Sequence, residues 1–355
     1  MADFVLKNVK LGDHITDLTA SRESGKILSV ARTDAEGRDM QGAEIVAGYI
    51  DIHTHGCVGQ SATTGKGYVE MAEFLAANGT TSWCPTTETV PLSELRALLR
   101  ANPHTRKGAH ALGFHLEGPY INLKYRGAMN PENARLPDLA DFEGYDNIAM
   151  MTLAPELEGG LEFIRNAPFR CVVGHTTATY DQAKAAFAAG ANCVTHLFNA
   201  MPPMHHREPA VVGAALTEGA YVQVISDGIH LHPATVLAAY RMYGSDRMIL
   251  ISDSISATGL PDGAYTLGGM DVTVKDSVAR IASGALAGST VTLGECVRRA
   301  VSFGIPRAEV LKMASETPAK YLGVPKGKLA PGYDADILVV DDALNVKETI
   351  LCNQL

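Results

Sequence analysis

Positive charge is in short supply in this sequence: 30 lysines and arginines stand against 39 acidic residues, leaving a net charge of −9. That balance excludes the basic face that nucleic-acid binding requires. It also means that an anionic ligand must be held by a few local cations, because the field of the whole molecule repels it. Cysteine is sparse as well. The six (Cys57, Cys84, Cys171, Cys193, Cys296 and Cys352) are scattered without a CxxC pair, which excludes a dense disulfide framework and suits a reducing compartment. No apolar run approaches the length needed to cross a bilayer. The stretch Met1 to Lys10 lacks the basic segment followed by an apolar one that marks a secretory signal. The expectation is a soluble, cytoplasmic protein that meets neither membrane nor nucleic acid.

What is present is the composition of a globular chain, 46% apolar and 19% charged. At 355 residues it exceeds the usual single core, which predicts one large domain with a smaller companion. Eight times an apolar run ends in residues that bind metal or move protons. The run-ends are Asp51-Ile52-His53-Thr54-His55, Cys84-Pro85-Thr86-Thr87, His115-Leu116-Glu117-Gly118, Leu153-Ala154-Pro155-Glu156, Gly174-His175-Thr176, Thr195-His196, Ser226-Asp227-Gly228 and Ser252-Asp253. Helical periodicity follows at Tyr68–Ala77, Leu92–Arg100, Tyr180–Ala189, Pro233–Tyr243 and Leu293–Phe303. Alternating strands and helices with eight repeats predict an α/β fold, a (β/α)8 TIM barrel, whose site lies at the C-terminal ends of its strands. Both termini read differently. Short strands are expected at Phe4–Val9 and Lys26–Val30, and again at Ile337–Val340 and Val346–Leu351. They predict a small β-sandwich domain made from residues 1–48 and 326–355, bracketing a catalytic barrel at 49–325.

The strand ends carry the chemistry. His53 and His55 lie two apart on one strand and so share a face, the barrel interior, where two imidazoles make half of a metal site. Glu117 closes the third strand, His175 the fifth and His196 the sixth, so three more ligands come from independent strand ends. The carboxylate is placed to join or bridge the two histidine pairs. His115 shares the face of Glu117 one layer deeper and reads as a support or a satisfied core histidine. Asp253, at the end of the eighth strand, reads as metal ligand, structural cap or general base. With the ligand set already full, general base is the preferred reading. Cys57 reads as a small buried residue. Arg207 is either an anion contact or half of a surface ion pair with Glu208.

These residues in this order resemble the amidohydrolase superfamily, and within it the amino-sugar 6-phosphate deacetylases. The motifs that carry the resemblance are His115-Leu116-Glu117-Gly118-Pro119-Tyr120, Gly174-His175-Thr176, Thr195-His196-Leu197-Phe198-Asn199-Ala200-Met201, Arg207-Glu208-Pro209, Asp227-Gly228-Ile229-His230 and Leu286-Ala287-Gly288-Ser289. With the tail Leu329-Ala330-Pro331-Gly332 and Ala335-Asp336, they cover essentially the whole chain. The resemblance implies hydrolysis of N-acetylglucosamine 6-phosphate to glucosamine 6-phosphate and acetate. It implies Glu117, His175 and His196 as the main metal ligands, His53 and His55 as a route to a second metal, and Asp253 as the acid/base. Asn199, Ala200, Arg207, Asp227 and His230 are the implied phosphate and sugar contacts, with Ala128, Met129, Leu286, Ala287 and Gly288 around the sugar and acetyl group. It further implies a homodimer in which Arg207 reaches the neighbouring subunit's site. The metal is divalent, one or two per subunit; zinc suits the ligands, and iron, manganese or cobalt can replace it. Several relatives carry histidine where this chain has Met129, and a thioether cannot donate to a sugar hydroxyl.

The nearest alternative is the same reaction on N-acetylgalactosamine 6-phosphate, and a more distant one is another amidohydrolase acting on a cyclic amide or an ester. Cyclic-amide hydrolases bridge two metals with a modified lysine on strand four, but Ile148–Ala154 has no lysine. A non-catalytic sugar sensor has no use for the carboxylate of Asp253.

Overall fold

The computed structural model describes residues 3–103 and 107–355. Eight parallel strands follow one another round a barrel: β1 (Tyr49–Thr54), β2 (Thr80–Thr87), β3 (Phe114–Glu117), β4 (Ile148–Leu153), β5 (Arg170–Val173), β6 (Cys193–Val194), β7 (Tyr221–Ile225) and β8 (Met248–Ile251). Each is hydrogen-bonded in parallel to its neighbours from β1 to β8. The ring closes just above β8, where the Asp253 N–H donates to the His53 carbonyl at 2.9 Å and Thr54 bridges Ser254. Closure is therefore made at two of the predicted site residues, His53 and Asp253. Ile50, Ile52, Cys84, Met150, Val172, Cys193, Ile225, Ile249 and Ile251 pack as one buried cluster contributed by seven of the eight strands. Ala319, Tyr321 and Leu322 of the helix Glu316–Leu322 join that cluster.

The predicted helices occur at Tyr68–Ala77, Leu92–Ala101, Tyr180–Ala189, Pro233–Tyr243 and Leu293–Ser302. Thr179 and Thr292 start two of them with full capping boxes, closed by Gln182 and Glu295. Strands from both termini form a separate seven-stranded sheet: Phe4–Leu11, His14–Ala20, Ile27–Val30, Arg38–Asp39, Glu44–Ala47, Ile337–Val340 and Val346–Ile350. They enclose their own core of Leu6, Val9, Leu18, Ile27, Ile45, Ile337 and Val339. A clamp of charges joins the two ends of the chain, with Lys326 2.7 Å from Asp334 and 2.7 Å from Asp336, and Lys26 paired with Asp334.

One element has no counterpart among the expectations. Between β8 and the helix Leu293–Ser302, an antiparallel sheet of Gly263–Leu267, Met270–Lys275 and Val278–Ile281 rises over the barrel mouth. Its buried face, with Leu267, Val272, Val274 and Ile281, packs with Ala128, Ile255 and Ala287.

Candidate active site

Glu117 sits between two histidine pairs. Its Oε2 lies 3.1 Å from His55 Nε2, and its Oε1 lies 2.9 Å from His196 Nε2, 3.2 Å from His175 Nε2 and 3.4 Å from His53 Nε2. Within the pairs, the Nε2 atoms of His53 and His55 are 3.3 Å apart, and those of His175 and His196 are 3.0 Å apart. All five side chains are buried. His175 and His196 take left-handed backbone angles, φ 47° and 22°. This is a costly conformation for a non-glycine residue, and it ends the strand and turns the ring inward.

Neighbouring groups fix the ring tautomers. The Tyr125 carbonyl lies 2.9 Å from His175 Nδ1, and Gln223 Oε1 lies 3.0 Å from His53 Nδ1. Both oxygens only accept, so both Nδ1 atoms carry the proton and both Nε2 lone pairs face Glu117. These two lone pairs and the Glu117 carboxylate are acceptors aimed at one another across about 3 Å, which is repulsive unless a cation or protons occupy the centre of this knot. His53, His55 and Glu117 form one potential ligand triad, and Glu117, His175 and His196 form another. Imidazole and carboxylate together suit zinc and similar divalent ions. The donor set therefore fits a divalent metal.

Asp253 faces the same knot, its Oδ1 3.2 Å from His55 Nε2 and 3.4 Å from His53 Nε2. Burial favours its neutral form, but with protons in the knot the charged imidazoles of His53 and His55 hold the carboxyl down at about 2. Glu117 is likewise kept well below the carboxylate range by His53, His175 and His196, against the cost of burial. The loop Leu286–Ser289 runs close behind Asp253. The Ser289 N–H donates to the Asp253 carbonyl at 2.7 Å, and a Cβ on Gly288 would come within 2.8 Å of that carbonyl. His115 lies beneath, its Nδ1 3.1 Å from the Ile52 carbonyl and its Nε2 2.8 Å from Thr152 Oγ1. It is a satisfied core histidine stacked edge-on against His53. Cys57 is turned away toward the Met71 carbonyl.

A cavity of about 480 Å³ opens above the knot. His55, Glu117, His175, His196 and Asp253 form its floor, and Ala128, Met129, Asn199, Ala200, His230, Leu286 and Gly288 contribute to its wall. Three of the predicted contacts lie elsewhere. Asp227 does not line the cavity: its Oδ2 is 2.6 Å from His230 Nδ1, and its Oδ1 accepts the N–H groups of Ile229 and His230. It orients His230 from behind. Although burial disfavours the imidazolium, the hydrogen bond and charge of Asp227 raise the His230 pKa above its ordinary value. Ala287 is fully buried beneath the three-stranded sheet. Arg207 is exposed outside this chain's cavity, with Nη1 2.7 Å from His206 Nε2. Glu208 is engaged with the N–H groups of Tyr180 and Ala210. Asn199 faces the cavity, but its amide nitrogen donates to the His196 and Leu197 carbonyls, leaving Oδ1 for a ligand.

Several members of the site were not foreseen. The strap Leu123–Gly127 lines the cavity beside Ala128, and Leu267 and Ala285 add an edge from the three-stranded sheet. Gln223 and Thr195 support His53 from the β7 and β6 side, the Thr195 hydroxyl donating to Gln223 Oε1 at 3.0 Å. Their polarity on otherwise apolar strands was a signal, since a buried amide needs a partner.

The Amidohydrolase family model matches residues 45–352. The N-acetylgalactosamine-6-phosphate deacetylase of Escherichia coli O157:H7 is 38% identical over 92% of this chain and 90% of its own length. The N-acetylglucosamine-6-phosphate deacetylase of Vibrio furnissii is 37% identical over 92% and 87%. Among solved structures, an aspartate-to-alanine mutant of the Mycobacterium smegmatis N-acetyl-D-glucosamine-6-phosphate deacetylase, in complex with N-acetyl-D-glucosamine-6-phosphate, superimposes with a TM-score of 0.90. It shares 32% identity, over 100% of this chain and 99% of that one. Barrel, ligand knot and relatives agree, and the chain belongs to the amidohydrolase family, in the branch that holds the amino-sugar 6-phosphate deacetylases.

Proposed function

We propose that this protein is a metal-dependent N-acetylglucosamine-6-phosphate deacetylase, releasing acetate and glucosamine 6-phosphate. The observation that carries the reading is the buried knot of four imidazoles around Glu117, facing Asp253 at the floor of a cavity sized for a small sugar. Glu117, His175 and His196 would hold the principal divalent ion, zinc being the best match, with iron, manganese or cobalt as substitutes. His53 and His55, sharing Glu117, offer a place for a second ion. When bound, such an ion supplies Lewis acidity that strengthens a water nucleophile at neutral pH and draws charge from the acyl oxygen.

The remaining steps belong to the chain's own residues. Asp253 accepts a proton from the attacking water as the C–O bond forms. It then gives that proton to the amide nitrogen, which leaves as an amine when the C–N bond breaks. One carboxylate serves both halves because it begins ionised and ends each turnover ionised. His230, held by Asp227, offers an imidazolium to the substrate's oxygens, and Asn199 offers Oδ1. Ala128, Met129 and Leu286 give the cavity an apolar side against which a sugar face and a methyl group can rest.

The phosphate requires a cation, and Arg207 supplies it from a second subunit. Its exposed position, beside exposed His205, His206 and Met204, supports a homodimer in which each chain completes its neighbour's site. Six unpaired thiols support a reducing, cytoplasmic setting.

The galactosamine epimer is the second reading, favoured by the Escherichia coli relative at 38% identity. Metal analysis of the purified chain, combined with acetate release from both phosphorylated sugars, tests the proposal. A metal-free active enzyme, or no acetate from either sugar, would overturn it. Faster turnover of the galactosamine epimer would replace the first reading with the second.

A further inference from the structure

The carboxylate of Glu156, just beyond β4, is neither a metal-ligand candidate nor a wall of the cavity, yet it gathers more hydrogen bonds than most residues of the site. Its Oε1 accepts the Thr177 N–H at 2.6 Å, the Thr177 hydroxyl at 2.9 Å and the Asn122 amide at 2.9 Å. Its Oε2 accepts the Thr176 hydroxyl. The Asn122 amide also reaches Thr177 Oγ1 at 2.9 Å. Three separate segments thus meet on one side chain: the end of β4, the turn after β5 and the start of the strap over the barrel mouth.

Two features beside that junction need holding in place. His175, adjacent to Thr176, stands in a left-handed conformation at φ 47°, which unsupported backbone would abandon. Its carbonyl is fixed by the Asn122 N–H at 2.8 Å and its Nδ1 by the Tyr125 carbonyl at 2.9 Å. Both partners belong to the strap that begins at Asn122 and continues as Leu123–Met129 along the cavity wall. On the far side, the Thr176 N–H donates to the Ala200 carbonyl at 3.2 Å, linking the junction to another wall residue.

We infer that Glu156 is a positioning residue that sets the aim of His175 and the seat of the Asn122–Met129 strap, coupling metal affinity to the shape of the sugar pocket. The inference rests on the metal reading above. Without Glu156, the Thr176–Thr177 turn loses a common acceptor and His175 is free to relax toward ordinary backbone angles, carrying Nε2 away from Glu117. The strap loosens in the same event, because it shares the Asn122 contact.

The test uses full-length Glu156→Ala and Glu156→Gln chains. Zinc affinity is measured by competition with a chromophoric chelator, alongside KM, kcat and the Tm of the metal-free proteins. Glu156→Ala should bind zinc at least about tenfold more weakly, as loss of supporting contacts around a metal ligand generally does, and should raise KM, with little change in metal-free Tm. Glu156→Gln keeps Oε1 as the shared acceptor and should restore most of both losses, an outcome that a merely structural role would not give. Wild-type zinc affinity and KM in Glu156→Ala would overturn the inference, as would a loss seen only in Tm. Should Glu156→Ala not fold, Thr177→Val removes two of the same bonds, the hydroxyl's to Glu156 and the Asn122 amide's to that hydroxyl, and should show smaller losses of the same sign. A wild-type chain that takes up no zinc would instead sink the reading of the centre itself.

Discussion

Asp253 and His230 face one cavity, and opposite environments give them opposite charges. Asp253 stays ionised although buried once the His53 and His55 imidazoles, within 3.4 Å of it, carry protons and with them positive charge. Replacing Asp253 with Asn keeps its size and one acceptor but removes the base. Asp253→Asn should therefore retain bound metal and substrate affinity while kcat falls by about 10³-fold; an asparagine variant with near-wild-type turnover would end the assignment. His230 is tuned the other way. Burial lowers its pKa, but Asp227 more than compensates, so the imidazolium persists above the ordinary value of 6.5. A charge that exists below the pKa and vanishes above it should give tight binding of the anionic substrate at low pH, with KM rising as pH passes through that raised pKa. Asp227→Asn removes the partner and should move this rise to lower pH, read from KM against pH for the phosphorylated sugar. An unmoved profile would separate His230 from substrate binding.

At the level of elements, the readable parts are those in which local chemistry and tertiary role coincide. Barrel strands buried on both sides read as apolar runs, and their polar ends announced the site, so His53, His55, Glu117, His175, His196 and Asp253 were visible before any geometry. Helices with capping boxes at Thr179 and Thr292 were bounded almost to the residue. The three-stranded sheet at 263–281 was equally marked, by the alternation Val272, Val274 and the Gly268-Gly269 turn. It breaks the strand–helix rhythm, however, and only its packing against Ala128 and Ala287 gives it a role. Gln223 and Glu156 stand out as polar residues on or at the end of apolar strands, but their roles were opaque. Those roles lie in which distant groups they meet, and no local pattern encodes that. The terminal clamp is similar, since Lys326 and Asp336 look like surface charges but are 4% and 6% exposed. Burial works against the charge of Lys326, yet Asp336 and Asp334 push its pKa up to about 12 from 10.5, and Asp334 is held below 3.8 by Lys26 and Lys326 against the cost of burial. The raised lysine stabilises below 10.5 and loses its contribution as pH climbs toward 12, and the depressed aspartate stabilises above 3.8 and fails below it. Lys326→Met strands the buried carboxylate of Asp336, while Asp334 keeps Lys26, and should cost roughly 3–5 kcal/mol at neutral pH. Thermal unfolding at pH 7 and at pH 3 checks this, because the deficit should shrink at the lower pH.

For the whole molecule, the decisive question is where Arg207 acts. The cavity carries the histidine–glutamate knot, Asp253 and His230 within one chain, whereas Arg207 lies exposed beyond it. A chain with net charge −9 does not attract a sugar phosphate by its overall field, so a local cation must do so. Arg207→Ala should therefore weaken transition-state binding of the phosphorylated sugar by about 1.5–3 kcal/mol in kcat/KM, and leave the unphosphorylated sugar nearly unaffected. Whether the arginine serves its own site or its neighbour's is settled by mixing two impaired chains, Arg207→Ala and Asp253→Asn, under conditions that exchange subunits. If Arg207 crosses the interface, each mixed dimer holds one site with an intact Asp253 and an intact arginine from the partner. Half of the dimers formed by random exchange are mixed, so activity should return to about one quarter of the wild-type value per chain. If Arg207 serves its own chain, every site in the mixture lacks one group or the other and activity stays at the level of the separate variants. A mixture that forms dimers by size and stays inactive would thus place the phosphate contact within the subunit.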